Sequence, residues 1–306
     1  MRGPFALCLL LFSCVTFAQT DSSEPETVLV QGERPGPGLW KISRDGHVLY
    51  LLGTHSPLPV SMTWKSAQVE NAISEANEVL GTYAVSLKVP EQVQRNTRKP
   101  LKSVLPSRSY REWRKLKDKY LGNALPTEKL LPAEAAILLQ SSAYRRNGLV
   151  DSQDIWRTIY KLAHDYRVPV RRMDYELDLG LTKPLKTNSR AGVTFLEETM
   201  QRLDADIKQA VARANAWADG DVNELRSLAE ADASYASLLA RSWPYLTKAQ
   251  SDQAAQQAEN RLVSELDRAL RRNRTTFAGL PIYLIFKQDG PLAAMRSLGC
   301  AVEEPQ

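Results

Sequence analysis

Apolar residues alternate along Leu39–Ser43 and again along His47–Leu52, with Arg44-Asp45-Gly46 between the two runs. An Asp-Gly pair set between alternating segments is a hairpin signal, so two paired strands open the fold. Tyr50-Leu51-Leu52-Gly53-Thr54 then runs into a loop bounded by glycine and proline, Gly53 to Pro59. Across Lys65 to Asn77 the period becomes helical, with apolar Ala67, Val69, Ala72, Ile73 and Ala76, and Glu78–Val85 reads as a buried strand. Beyond Ser107 the pattern is mostly helical: Tyr110–Tyr120, Glu128–Arg146, and Gln153–Tyr166 capped by Asp151 or Ser152. A short strand follows at Val168–Met173, and a helix leading into a strand at this spacing fits an α/β unit. A long helical array spans about Ala191 to Asn273. It breaks at Gly220-Asp221, where Asp221 and Glu224 form a capping box, and at Pro244, with Thr247 as the next N-cap. The chain closes with an apolar strand Thr276–Phe286, a turn at Gln288-Asp289-Gly290, a helix to Leu298 and a last strand near Cys300–Val302. One α/β domain with a helical insertion accounts for this order.

The start of the chain has a different character. Arg2 precedes an uncharged apolar run, Phe5 to Phe12, and Thr16-Phe17-Ala18 offers a small residue for cleavage. A run this short cannot cross a bilayer, which needs about 20 apolar residues, and reads as a secretory signal over residues 1–18. Residues 19–38 form a polar, turn-rich leader, and the folded domain covers 39–306. A competing reading takes Leu11-Phe12-Ser13-Cys14 as a lipoprotein box with a lipid on Cys14, which the bulky Phe12 fits poorly. The expected location is therefore periplasmic or secreted, with no transmembrane span.

Cysteine use agrees with a domain that relies on its core. Cys8 and Cys14 fall in the signal, leaving Cys300 as a small buried residue with no disulfide partner. The formal charge of +5, or +4 without Arg2, argues only weakly for anionic partners. The basic cluster Arg108–Lys119 is interspersed with Glu112 and Asp118 and reads as a solvated helix face, so nucleic acid is not expected as a partner. Tryptophans and tyrosines at helical spacing, Trp113, Trp156 and Trp217 among them, read as core, although a carbohydrate groove stays open as a use for the six tryptophans.

Several segments, in their order and spacing, resemble the TraB/GumN family. They are Gly38-Leu39-Trp40-Lys41-Ile42, Tyr50-Leu51-Leu52-Gly53-Thr54, Leu58-Pro59, Ala216-Trp217-Ala218-Asp219-Gly220-Asp221, Asn260-Arg261, and Leu298-Gly299-Cys300-Ala301-Val302. The resemblance covers about Leu39 to Glu303. It implies a TraB/Tiki-like mixed central sheet flanked by helices, shared with Tiki-type proteases, erythromycin-esterase-like enzymes and haem-uptake ChaN-like proteins. It also implies a metal-dependent hydrolytic site: a Gly-Thr-x-His loop, a Glu on the next strand, an Arg, and a Gly-x-x-His near the C-terminus. Two imidazoles from opposite ends of the chain could share a divalent ion with a carboxylate as ligand or base.

This chain departs from that pattern. The loop reads Gly53-Thr54-His55-Ser56, with the histidine one residue early, where strand alternation is expected to turn it away. Thr82 or Tyr83 stands where the Glu is expected, and Glu78 comes too early. The second motif falls on Pro281-Ile282-Tyr283-Leu284, and no histidine follows His164. With three histidines in all, donors are too few, so no metal and no cofactor are expected. His-Glu-x-x-His, Gly-x-Ser-x-Gly and phosphate-loop motifs are also missing.

The candidate catalytic residues are His55, Ser56 and Asp174, the last at the acidic end of the Val168–Met173 strand. Gly53, Thr54, Tyr283 and Arg261 are the candidate lining of a binding cleft. The leading expectation is an exported envelope protein, non-catalytic by the metal mechanism, that binds an envelope partner or glycan; the family's link with exopolysaccharide gene clusters supplies that context. One alternative is a hydrolase rebuilt around His55, Ser56, Asp174 and Arg261. The other is a haem-binding protein using His55, Tyr83 or Tyr283.

Overall fold

In the computed structural model, which describes residues 36–65, 67–88, 99–122, 127–151, 153–180, 190–231 and 246–305, the opening hairpin forms as expected. Strands β1 (Leu39–Arg44) and β2 (His47–Thr54) pair antiparallel from Leu39↔Leu52 to Arg44↔His47. Asp45 and Gly46 both take positive φ, 52° and 80°, which a tight hairpin turn of matching twist requires. The signal, Cys14 and most of the leader lie outside the described residues, as does the break at Pro244.

β2 leads through β3 (Leu58–Pro59) and α1 (Ala67–Ser74) to β4 (Glu78–Leu87). Among the described residues helices α2 (Leu101–Val104), α3 (Ser107–Tyr120) and α4 (Pro132–Arg146) follow, then β5 (Leu149–Val150), α5 (Gln153–Asp165) and β6 (Val170–Leu177). Among the described residues the helical array holds α6 (Arg190–Asp219), α7 (Val222–Ala231) and α8 (Lys248–Arg272). β7 (Thr275–Pro281), α9 (Ile282–Phe286), α10 (Pro291–Ser297) and β8 (Ala301–Glu303) complete the domain.

The main sheet has the order β6-β4-β7-β2-β1-β8. Its first four strands run parallel, and β1 lies antiparallel between β2 and β8, so the sheet is mixed. Helices cover both faces. On one, Gly279 lies close enough to the Trp156 ring of α5 that an added Cβ would meet it at 2.7 Å. On the other, the Thr276 hydroxyl faces the Ala269 carbonyl of α8 at 3.5 Å. A second apolar cluster joins α2, α3 and α4 to the first half of α6 around Trp113, Leu139, Leu196 and Leu203; this is the helical insertion. The whole is an α/β fold, and α6 belongs to both clusters, reaching the sheet through Ala214 and Trp217.

Capping explains where several helices start. Asp221 Oδ1 accepts from the Glu224 N–H at 2.9 Å, and Thr247 exchanges backbone and side-chain hydrogen bonds with Gln250. Cys300 is buried at 6 % exposure. Two strand readings change. β6 starts later and runs to Leu177, so Asp174 and Glu176 sit inside it, not at its end. β7 stops at Pro281 rather than Phe286, because proline brings no N–H to continue a ladder, and Ile282–Phe286 wind into a helical turn.

Glu78 begins β4 with its side chain only 9 % exposed. It accepts from Arg171 Nε at 3.0 Å, Arg272 Nη2 at 2.6 Å and Asn273 Nδ2 at 3.1 Å. Burial alone would raise this carboxyl, but the hydrogen bonds from Arg272 and Arg171 hold it below the usual range. Glu78→Gln is expected to destabilise by about 2 kcal/mol, less than for a fully buried pair because both guanidinium groups keep contact with water. Urea titration measures this, and a loss near zero would reduce the cluster to ordinary surface pairing.

Candidate functional site

The parallel pair β2 and β7 end side by side, with Thr54 opposite Pro281. Open α/β sheets place their ligand crevices beyond such carboxyl ends. A cavity of about 690 Å³ lies here. Its floor is Thr54, His55, Ser56, Pro281 and Tyr283. One wall is a single face of α6, with Phe195, Glu198, Thr199, Arg202, Asp206 and Arg213 at helical spacing. The lining is completed by α4 (Gln140, Ser141, Tyr144, Arg145), which packs beside α6, and by Asp151, Asp154 and Arg157 at the start of α5.

The polar groups of this cavity differ in exposure. His55 is 1 % exposed, Arg213 3 % and Asp206 5 %, so these polar side chains are buried where α6 meets the sheet. Along α6 exposure rises away from the sheet to Glu198, and Asp154 and Arg157 at the start of α5 are also exposed. Burial, with the charge of Arg213 added, lowers the His55 pKa to about 3, so its imidazole is neutral at physiological pH. Arg202 Nη2 pairs with Asp206 Oδ1 at 3.4 Å one turn along α6, and Arg157 pairs with Asp154.

Gly53 stands behind the floor. Its carbonyl accepts the Trp217 indole N–H at 2.6 Å, which fixes the C-terminal part of α6 against the end of β2. A Cβ at Gly53 would come within 2.1 Å of Ile282 Cδ1, so the strand passes α9 at a spacing that glycine allows.

The structure thus brings Thr54, His55, Ser56 and Tyr283 to one cavity, with Gly53 in support. His55 does not turn away as alternation implied: Thr54 is the last residue of β2, and period two no longer governs the residue that follows. Asp174 does not join them. It is exposed on β6 and paired with Arg172 Nε at 3.0 Å. Arg261, exposed on α8, is not among the lining residues either. Tyr83 packs edge-on to Tyr175, centroids 5.7 Å apart, against the apolar cluster of Ala254 and Ala258, and burial pushes its hydroxyl up.

Sequence reading missed the α6 wall. Asp206 and Arg213 interrupt the buried stripe of that helix, and charge recurring at 198, 202, 206 and 213 was the available signal.

The residues present do not fit the metal site that the resemblance implies. His47 Nδ1 lies 2.7 Å from the Asn273 carbonyl at the far end of β2, and His164 is exposed beside Asp165. His55 is the single imidazole at the cavity, and among the described residues no three His, Cys, Asp or Glu side chains converge as a ligand set. Among the described residues no helix is long and apolar enough to cross a membrane.

Neither the curated proteins nor the solved structures gave a match. A family model described as TraB/PrgY/gumN matches residues 38–304, from the residue before β1 through β8. On that match over nearly the whole described domain, the chain belongs to the TraB/PrgY/gumN family.

Proposed function

We propose that this chain is an exported protein of the cell envelope that binds a ligand in the His55–Tyr283 cavity and does not work through the metal chemistry implied by its resemblance. The observation that carries the reading is a cavity of about 690 Å³ at the carboxyl ends of β2 and β7 to which the described residues bring one imidazole and no converging ligand set. A cleft with buried charged groups and aromatic lining is suited to holding a polar molecule in one orientation. The signal-like start of the chain supports export.

Elemental analysis of the purified protein, paired with thermal melts in the presence and absence of a chelator, tests this. The expected result is less than stoichiometric metal and a melting temperature that the chelator leaves unchanged. One zinc or manganese per chain, removed by the chelator with a large drop in melting temperature, would sink the proposal. So would peptide or ester turnover abolished by His55→Ala. A Soret band on haem titration, lost in the Tyr283 or His55 variants, would favour the haem reading instead.

A further inference from the structure

The groove has a direction. Phe195 and Arg213 both line it and stand 18 residues apart on the continuous helix α6, which at about 1.5 Å per residue separates them by about 27 Å. A volume of about 690 Å³ drawn out over that length is long and narrow. Exposure falls along it, from exposed Glu198 through half-buried Arg202 to Asp206 and Arg213 at 5 % and 3 %. That shape has room for an extended molecule lying along α6, with one terminus near His55.

The chemistry of the walls narrows the class. Among the described residues four arginines and four carboxylates line the groove, and His55 adds no charge. A charged polymer would meet as much repulsion as attraction. Guanidinium groups are fixed donors and carboxylates fixed acceptors, and their alternation at positions 198, 202, 206 and 213 matches groups that donate and accept at once, as neighbouring hydroxyls do. Phe195, Tyr144 and Tyr283 add aromatic faces at both ends.

An extended peptide is read through main-chain hydrogen bonds to a strand edge. Here the long walls are helices whose backbone groups are bonded internally, and β3 and β5 are only two residues each. We propose that the groove takes the end of a linear, uncharged oligosaccharide, its terminal unit beside His55 and Arg213 and the following units along α6 towards Phe195. This rests on the binding reading above and adds the class and orientation of the ligand.

Calorimetric titration of the chain with linear neutral oligosaccharides tests it, using glucose, mannose and N-acetylglucosamine series from monosaccharide to hexasaccharide. Cyclic dextrins, which have no end, and neutral hexapeptides serve as comparisons. At least one linear series is expected to gain tenfold or more in affinity with length and then level off, while the cyclic sugars do not bind. Phe195→Ala at the half-exposed end is expected to remove the gain from the longer members and leave the shortest unchanged. Arg213→Gln is expected to weaken all lengths, and a melt of each variant shows whether it is folded.

No binding by any member of the panel overturns the assignment. So do affinity independent of length, cyclic sugars binding as well as linear ones, or peptides binding in place of sugars. If these fail while the melts stay insensitive to chelator, the binding reading stands without its sugar; chelator-sensitive metal removes both.

Discussion

Trp217→Ala is expected to destabilise the domain by about 4 kcal/mol, in the range for removing a large aromatic side chain from a core. Trp217 is 2 % exposed, meets the Trp64 ring edge-on at 5.3 Å, and donates to the Gly53 carbonyl at 2.6 Å. Removing it opens a cavity, leaves a buried carbonyl unsatisfied and frees the C-terminal part of α6 from the end of β2. Arg213 lies one turn upstream of that attachment, so ligand affinity should fall even where the variant remains folded. Trp217→Phe keeps a ring but loses the donor, and about 1.5 kcal/mol is expected, from the stranded carbonyl. The midpoint of urea unfolding, at an unchanged denaturant slope, reads both effects. A Trp217→Ala variant as stable as the parent would mean that the contact does not hold α6 in place.

Acidification is expected to weaken the fold through His55. In the unfolded chain the imidazole titrates near 6.5, whereas in the folded chain burial and then Arg213 lower it to about 3. Between those values the unfolded state binds the additional proton, so stability rises with pH and is lost as pH falls below about 6.5. The slope approaches about 1.4 kcal/mol per pH unit, which gives about 2 kcal/mol between pH 7 and pH 5. Unfolding of the parent and of His55→Gln at both pH values isolates this contribution, since other titrating groups are common to the two proteins. The extra acid sensitivity of the parent should vanish in the variant. Equal losses in the two would show that His55 is protonated in the folded state and that its surroundings are wetter than its burial implies.

Much of the fold could be read directly because its local signals agree. Asp45-Gly46 between alternating strands, Asp221 with Glu224, and Thr247 with Gln250 each determine a turn or a helix start within a few residues. The misread elements depend on competition instead. The apolar stretch after Thr276 suits a strand or a buried helix equally by composition, and Pro281 decides where one becomes the other.

The site was half legible for the same reason. Thr54 ends β2, and His55, Ser56 and Tyr283 follow the adjacent parallel strands β2 and β7, so a motif on each strand suffices to find them. The α6 wall comes from a helix far along the chain, and only tertiary packing of the helical insertion brings it over the sheet. Asp174 and Arg261 show the converse. Each looked functional in its local context, yet the strand register and helix face turn them to solvent.

The thirty residues of α6 give the molecule one spine for two bodies of apolar packing. Leu196 and Leu203 anchor it in the insertion, while Ala214 and Trp217 anchor it on the sheet. Neither body keeps its full complement of neighbours if the other melts, so heat should dismantle them together in one cooperative step. Any occupant that braces the charged face of this rod would then stiffen the sheet and the insertion at once, although it touches only one side of each.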